Sequence, residues 1–231
     1  MLELANVDAY YGASRALQDV SATIDNGDFA CVLGRNGVGK STLMRSIMGL
    51  MDRCDGSIRL DGEEVNRKPT HERSKAGIGY VPQGRGILPR FTVRENLTLG
   101  TFANRKGATE INEWVFELFP VLKDFLGRKG GNLSGGQQQQ LAIARALLTD
   151  PKIILLDEPT EGIQPNIVEH IEEVLIALNR KHGITILLVE QDVSFARRAS
   201  KKFLVMDRGG VAAQGGIEEL SDAIIEKYMA V

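Results

Sequence analysis

The sequence predicts an α/β protein built on a mostly parallel, doubly wound sheet. Short, unbroken apolar runs, which are typical of strands buried on both faces, occur at residues 29–33, 78–81, 153–156 and 184–189. Segments with helical periodicity alternate with these runs. The chain has 231 residues, of which 43% are hydrophobic and 25% charged, a balance that excludes collagen-like and disordered classes.

Charge and cysteine content narrow the setting. The formal net charge is −2, from 28 basic and 30 acidic side chains, so no global positive field attracts nucleic acid or anionic lipid. The two cysteines, Cys31 and Cys54, have no metal-ligand pattern around them and favour a reducing, cytoplasmic compartment. The N-terminus does not resemble a signal peptide, and no apolar run is long enough for a membrane span. We therefore expect any membrane connection to come through a partner.

The N-terminal third predicts antiparallel strands followed by a buried strand and a helix. Residues 2–30 alternate apolar and polar positions, as half-exposed antiparallel strands do. The buried strand at 29–33 leads into a glycine-containing loop, and residues 41–50 have helical spacing with Gly49 near the end. Residues 57–60 indicate a hairpin strand before an Asp-Gly turn.

The rest of the chain predicts an insertion and the return of the sheet. Residues 84–149 have helical periodicity and no convincing buried strand, so we expect a helical subdomain inserted between a core of residues 1–83 and 150–231. A helix opened by Pro165 separates the two later apolar runs. A hairpin over 203–213 and an amphipathic helix over 217–229 end the chain.

A phosphate-binding loop follows the first buried strand. The segment from Gly34 to Ser41 fits G-x-x-x-x-G-K-[ST], in which backbone N–H groups and a helix N-terminus surround a polyphosphate. Lys40 would reach the β- and γ-phosphates, and the Ser41 hydroxyl would bind Mg²⁺. The alternative is a strand–turn–helix joint that simply needs glycine. The residues expected at the nucleotide are Gly34, Arg35, Asn36, Gly37, Val38, Gly39, Lys40, Ser41 and Thr42.

Two carboxylates end a buried strand. Asp157 and Glu158 follow the run at 153–156, at the sheet edge where ligands of α/β proteins collect. Asp157 would support the magnesium ion, and Glu158 would polarise the attacking water or accept its proton. An acidic pair after a strand is also a common loop feature, so the prediction depends on the phosphate loop.

Leu-Ser-Gly-Gly-Gln at 133–137 begins a helix. Ser134 is a good N-cap, but Gly135 and Gly136 in the first turn cost roughly 1 kcal/mol each in helix propensity. A γ-phosphate approaching the bare N–H groups would compensate for this cost. An ordinary glycine-rich helix start is the alternative.

Two weaker candidates lie elsewhere. Gln83 follows the strand at 78–81, and its amide oxygen could reach magnesium or the attacking water, although a loop glutamine is usually solvated. Tyr10 and Tyr11 precede Gly12 and could stack a base, although a tyrosine in a hairpin more often packs.

The order of phosphate loop, Gln83, LSGGQ and Asp-Glu strand resembles the ATP-binding subunit of ABC transporters over the whole chain. The resemblance implies a P-loop NTPase core of the RecA-like type. Four segments narrow it to the smaller ATPase subunit of branched-chain amino-acid and urea importers: 11–12, 81–85, 133–141 and 157–165. The four-glutamine run and Thr-Glu-Gly-Ile-Gln-Pro resemble the urea branch.

The resemblance also implies roles. Two chains would sandwich two ATP molecules with Mg²⁺, each bound by the phosphate loop of one chain and the LSGGQ of the other. Tyr11 would stack against adenine. The insertion at 84–130 would contact two membrane permease subunits on the cytoplasmic face of the membrane. A periplasmic solute-binding protein would be an indirect partner, because it delivers solute to those permeases. The expected catalytic residues are Glu158, Gln191 and Gln83; the metal ligands are Ser41, Gln83 and Asp157; the residues acting in trans are Ser134, Gly135, Gly136 and Gln137.

Two positions depart from the family pattern. Gln164 replaces the aspartate that usually ends the loop after the acidic strand, and Gln191 replaces the usual switch histidine. The resemblance therefore predicts a weakened site in a heterodimer with a paralogous ATPase subunit, with a homodimer as the alternative. The solute it implies is urea or a short amide, and a branched-chain amino acid is the alternative.

Two other functions remain to be weighed. A soluble ABC-type ATPase acting on DNA or ribosomes usually carries long coiled-coil insertions or a second cassette, and 231 residues leave no room for either. A P-loop kinase or GTPase would not need LSGGQ. ATPase activity stimulated by DNA, or a guanine preference, would favour these alternatives.

Overall fold

The computed structural model describes residues 1–229 and has the predicted α/β architecture. The strands are β1 (Leu2–Tyr11), β2 (Ser14–Ile24), β3 (Phe29–Leu33), β4 (Arg53–Leu60), β5 (Glu63–Glu64), β6 (Ile78–Val81), β7 (Ile153–Asp157), β8 (Thr185–Val189), β9 (Lys202–Asp207) and β10 (Gly210–Gly216). The helices are α1 (Lys40–Met48), α2 (Thr70–Ala76), α3 (Val93–Thr101), α4 (Trp114–Leu118), α5 (Pro120–Asp124), α6 (Gly135–Leu147), α7 (Pro165–His182), α8 (Val193–Ala199) and α9 (Asp222–Tyr228).

Two sheets form the framework. Strands β2-β1-β4-β5 make an antiparallel four-stranded sheet, which confirms the predicted N-terminal β-subdomain. Strands β10-β9-β3-β8-β7-β6 make a six-stranded sheet in which only the edge strand β10 is antiparallel. Every residue of β3, β7 and β8 is buried, because both faces of this sheet are covered.

Alternate side chains of the buried strands enter two separate cores. Ala30 and Val32 of β3 pack with the antiparallel sheet and with α1. Cys31 and Leu33 face the opposite way, into a larger core with α6, α7 and α8. Because successive side chains of a strand point to opposite faces, the six-stranded sheet contributes to both cores.

Between β6 and β7 the described chain has helices α3–α6 and no named strand, which is the character the sequence predicts for this segment. The subdomain boundaries at 83/84 and 149/150 stay predictions. Within the described residues, no helix is both long and apolar enough to cross a bilayer.

The C-terminal helix is where the predicted elements differ most from the structure. Instead of one helix over 217–229, a 3-10 turn at Ile217–Glu219 is followed by α9. Ser221 separates them, because its side chain accepts a hydrogen bond from the Ile224 N–H at 3.4 Å and begins a new helix. The amphipathic pattern continues across the break and conceals it.

We predict that Phe195→Ala lowers the free energy of unfolding by about 3–5 kcal/mol, because it opens a cavity in the larger core. Phe195 lies on α8, is 1% exposed and packs edge-on against Phe29 of β3 with ring centroids 6.1 Å apart. The matched control is Phe102→Ala, at a side chain that is 72% exposed. Urea unfolding of both variants checks the prediction, and similar midpoints would contradict it.

Candidate active site

Neighbouring parallel strands bring the site together. Strand β3 pairs with β8, β8 with β7, and β7 with β6, so their carboxyl ends lie at one edge of the sheet. The phosphate loop follows β3, Gln83 follows β6, the acidic pair ends β7, and Gln191 follows β8. Sequence positions that are more than a hundred residues apart therefore meet at this edge.

The phosphate loop needs its first glycine. Gly34 has φ 142°, and a Cβ there would lie 2.6 Å from the Met206 carbonyl oxygen of β9. The loop leads directly into α1, whose first residue is Lys40. The Lys40 side chain is 4% exposed, and its Nζ donates to the carbonyl oxygens of Gly34 and Arg35 at 2.8 and 3.0 Å. The ammonium group therefore lies across the inside of the loop.

Glu158 lies at the centre of the cluster. Its backbone has φ 47°, an unusual value for a residue with a side chain, and its side chain is 9% exposed. Glu158 Oε1 lies 3.6 Å from Lys40 Nζ and accepts from Gln191 Nε2 at 3.0 Å. Glu158 Oε2 accepts from Gln83 Nε2 at 3.2 Å. One cation and two amides therefore surround a single carboxylate.

Asp157 and Ser41 form a second, deeper pair. Ser41 Oγ donates to Asp157 Oδ1 at 3.1 Å, and Asp157 is 2% exposed. Burial raises the pKa of Asp157, and the hydrogen bond from Ser41 opposes that shift. A divalent cation would favour the ionised form further.

This oxygen donor set fits magnesium. Mg²⁺ usually takes one or two carboxylates and completes its shell with substrate phosphates and waters. Ser41, Asp157 and Gln83 offer a hydroxyl, a carboxylate and an amide oxygen. The described residues hold no group of three or more His, Cys, Asp or Glu side chains suited to a metal ion. A magnesium ion held by these three residues would take its other ligands from a nucleotide and solvent.

A cavity of about 540 Å³ lies over these residues, a size that suits a nucleotide. Tyr11 forms part of its wall, is 44% exposed and lies with its ring 5.8 Å from the Arg45 guanidinium carbon. Four further lining side chains were not predicted as site residues. They are Arg15, Gln18, Glu161 and Arg208.

The LSGGQ residues lie away from this cavity, since none of 134–137 is among its described lining residues. Ser134 and Gln137 form a reciprocal capping box: Ser134 Oγ accepts from the Gln137 N–H at 3.3 Å, and Gln137 Oε1 accepts from the Ser134 N–H at 3.0 Å. Within one chain, the LSGGQ segment therefore does not contribute to the cavity over the phosphate loop.

The glycines of this segment have a local reason that the sequence does not reveal. A Cβ on Gly136 would lie 2.7 Å from Ile167 Cγ2 of α7. A Cβ on Gly135 would lie 2.9 Å from Arg85 Nη2, and Arg85 also donates to Gln138 Oε1 at 3.0 Å. Close packing against Ile167 therefore accounts for Gly136 without a ligand, whereas the contact at Gly135 is with the end of a flexible side chain.

The two unusual glutamines have different surroundings. Gln191 Nε2 donates to Asn36 Oδ1 at 3.0 Å as well as to Glu158, so it connects the phosphate loop to the acidic strand. Gln164 is exposed and precedes α7 without a capping hydrogen bond from its side chain. None of the three histidines lines the cavity.

Comparison with known proteins decides the family. The model described as ABC transporter matches residues 17–161, which is more than half of the chain. The chain belongs to the ABC transporter family. It is an ATP-binding cassette ATPase, and a solved ATP-binding cassette shares its fold over 94% of the chain.

Two curated relatives have nearly the same length as this cassette. The "High-affinity branched-chain amino acid transport ATP-binding protein BraG" of Pseudomonas aeruginosa is 40% identical over 212 residues, 91% of each chain. The "Probable branched-chain amino acid transport ATP-binding protein LivF" of Archaeoglobus fulgidus is 37% identical over 221 residues, 95% of this chain and 94% of the relative.

Solved structures agree with this assignment. A dimeric ATP-binding cassette in a post-hydrolysis state, bound to ADP and Pi, has a TM-score of 0.83 at 31% identity and covers 94% of this chain and 99% of its own. A cassette of an ABC transporter in its ADP conformation has a TM-score of 0.81 at 31% identity, covering 98% and 97%.

We predict that Gly136→Ala lowers the free energy of unfolding by about 1–3 kcal/mol, because the new methyl group overlaps Ile167. In an Ile167→Ala background the same change should instead stabilise the helix by up to about 1 kcal/mol, since alanine has the better helix propensity. Urea unfolding of the four proteins in the cycle measures the coupling. Equal effects in the two backgrounds would contradict the packing explanation.

Proposed function

We propose that this chain binds Mg-ATP at the cavity over the phosphate loop and hydrolyses it to drive uptake of a small solute through membrane partners. The observation that supports this most is the meeting of Lys40 and Ser41, which follow β3, with Asp157 and Glu158 at the end of β7, one strand away across β8. The loop N–H groups and Lys40 would bind the phosphates. Ser41, Asp157 and the Gln83 oxygen would hold Mg²⁺, which supplies charge neutralisation at the β- and γ-phosphates.

Glu158 is the proposed general base. Its side chain is mostly buried but reaches the cavity. The neighbouring amides of Gln83 and Gln191 are neutral hydrogen-bond donors, and each can give up its bond to the carboxylate and donate to a water instead. A water held by Glu158 would lose its proton to the carboxylate as it attacks the γ-phosphorus, while the bond from that phosphorus to the bridging oxygen breaks and ADP leaves. Tyr11, half exposed at the wall of the cavity, would stack the base.

The LSGGQ segment would act on the nucleotide of a second chain. Residues 134–137 lie outside the cavity that their own phosphate loop forms, and two solved structures of one relative are described as dimeric. Ser134, Gly135, Gly136 and Gln137 would meet the γ-phosphate bound by the partner. Closure on ATP would then be an association step, and hydrolysis would release it.

The partner is proposed to be a paralogous ATPase subunit. The amide of Gln191 reaches Glu158 but stays neutral, whereas a histidine can carry positive charge into a transition state rich in negative charge. If Gln191 slows hydrolysis at this chain's site, a partner whose own site hydrolyses ATP faster would sustain the activity of the dimer. Two permease subunits at the cytoplasmic face of the membrane would complete the assembly. The net charge of −2 gives no global positive field that would attract nucleic acid as a partner.

The solute is better supported as a branched-chain amino acid than as urea. Both curated relatives described above are named for branched-chain amino acid transport. The segments that resemble the urea branch, at 137–140 and 160–165, belong to the ATPase subunit and would not touch a solute that passes through the permease subunits. Uptake assays with both solutes in the reconstituted transporter would decide between them.

We predict that Lys40→Ala weakens Mg-ATP binding about tenfold to a hundredfold, because hydrogen bonds to charged groups contribute about 1.5–3 kcal/mol each. Isothermal titration of the full chain measures the affinity. Lys181→Ala, at an exposed lysine on α7, is the matched control and should bind as the wild type does. Unchanged affinity in a folded Lys40→Ala protein would rule out the proposed nucleotide site.

We predict that Glu158→Gln slows ATP hydrolysis by about 10²–10⁴-fold, since it removes the base while ATP stays bound. Dimers should therefore accumulate at saturating Mg-ATP, and light scattering detects them. The measurement is made with this chain alone and mixed with the paralogous subunit, and dimers only in the mixture would identify a heterodimer. Glu173→Gln, at an exposed glutamate, should give monomers. Monomers of Glu158→Gln in both samples would contradict the sandwich.

A further inference from the structure

Glu161 is a side chain of the cavity to which the sequence assigns no role, although it belongs to the segment 157–165. It lies on the exposed loop after β7 and lines the cavity beside Gln83 and Glu158. Gln83 Nε2 donates to Glu161 Oε2 at 2.9 Å, which is shorter than its 3.2 Å bond to Glu158. The loop after β6 and the loop after β7 are therefore joined at this point by two carboxylates and one amide.

This arrangement determines the orientation of the Gln83 amide. An amide nitrogen carries two N–H donors, and Glu158 and Glu161 accept both of them. A reversed amide would place its oxygen against two carboxylates and lose both bonds. The Gln83 oxygen is consequently directed away from the carboxylates and is available to a cation or a water.

Glu158 and Glu161 differ in whether they can keep their hydrogen bond to the Gln83 amide during hydrolysis. Glu158 already accepts from Gln191 and lies beside Lys40, and as a general base it must turn to a water. Its bond to Gln83 would therefore compete with the water that the base holds. In the proposed mechanism Glu161 takes no part in the proton transfer, so its bond to Gln83 would persist while Glu158 turns to a water.

The loop that carries Glu161 is anchored on its inner side. Thr160 Oγ1 donates to Glu190 at 2.5 Å, and Glu190 is 5% exposed at the end of β8. The Glu161 N–H also donates to the Glu158 carbonyl oxygen at 3.3 Å, which closes a turn. The position of Glu161 is therefore tied to a buried group and to the residue that acts as base.

We propose that Glu161 is a positioning residue for Gln83, which it holds with the amide oxygen turned toward the metal side of the nucleotide site. The proposal rests on the proposed function. Glu161 would not touch the nucleotide or the metal ion. Its effect would pass through Gln83 and appear in the part of the ATP affinity that depends on Mg²⁺.

The test compares Glu161→Ala and Glu161→Gln in the full chain. Isothermal titration gives ATP affinity with Mg²⁺ and with EDTA, and the ratio of the two is the magnesium-dependent gain. Glu161→Ala should reduce this gain at least threefold and leave the affinity in EDTA within twofold of wild type. Glu161→Gln keeps an acceptor oxygen for the Gln83 N–H and should retain most of the gain.

Gln83→Ala separates positioning from a simple charge effect. In that background, Glu161→Ala should change the gain by less than a factor of 1.5, because the amide that it positions has gone. An equal loss in both backgrounds, an unchanged gain in Glu161→Ala, or equal losses in the alanine and glutamine variants would overturn the proposal.

The same titrations distinguish two kinds of failure. If the wild-type chain binds Mg-ATP and loses it in Lys40→Ala, an unchanged gain in Glu161→Ala overturns only the role of Glu161. If the wild-type chain does not bind Mg-ATP, the proposed function and the role of Glu161 are both overturned. Glu173→Ala is the matched control and should keep the wild-type gain.

Discussion

Parallel pairing of β3, β8, β7 and β6 is the constraint on which the site depends. A parallel strand buried on both faces leaves only its ends for polar residues, and every residue of β3, β7 and β8 is buried. The polar residues that follow these strands are consequently forced to one edge. The register of β7 on β8, with Asp157 opposite Val189, sets how near Glu158 and Gln191 can come.

At this edge, charges of opposite sign are held close together with little water. Lys40 and Glu158 are 4% and 9% exposed and lie 3.6 Å apart, so each lowers the cost of burying the other. A bound polyphosphate would compete with Glu158 for Lys40. The neutral amides of Gln83 and Gln191 can follow the carboxylate or leave it at small cost. Nucleotide binding would in this way free the base for a water.

The sequence was sufficient for features that depend on neighbours along the chain. The phosphate loop, the acidic strand end and the LSGGQ helix start are each local, so their residue types and spacing predict their form. Contacts across the sheet could not be predicted. The bond from Gln83 to Glu161 joins residues 78 positions apart, and Ile167 explains Gly136 only once α6 and α7 are packed. The break at Ser221 was missed because the apolar pattern continues through it.

The most direct test of the account is a crystal structure of the Glu158→Gln variant with Mg-ATP. We predict that the phosphates lie in the loop from Gly34 to Ser41 with Lys40 at the γ-phosphate. The metal ion should lie between Ser41, Asp157 and the Gln83 oxygen, with the partner's LSGGQ segment closing the site. A nucleotide whose phosphates make no contact with Lys40, or a metal ion remote from Asp157, would contradict the account.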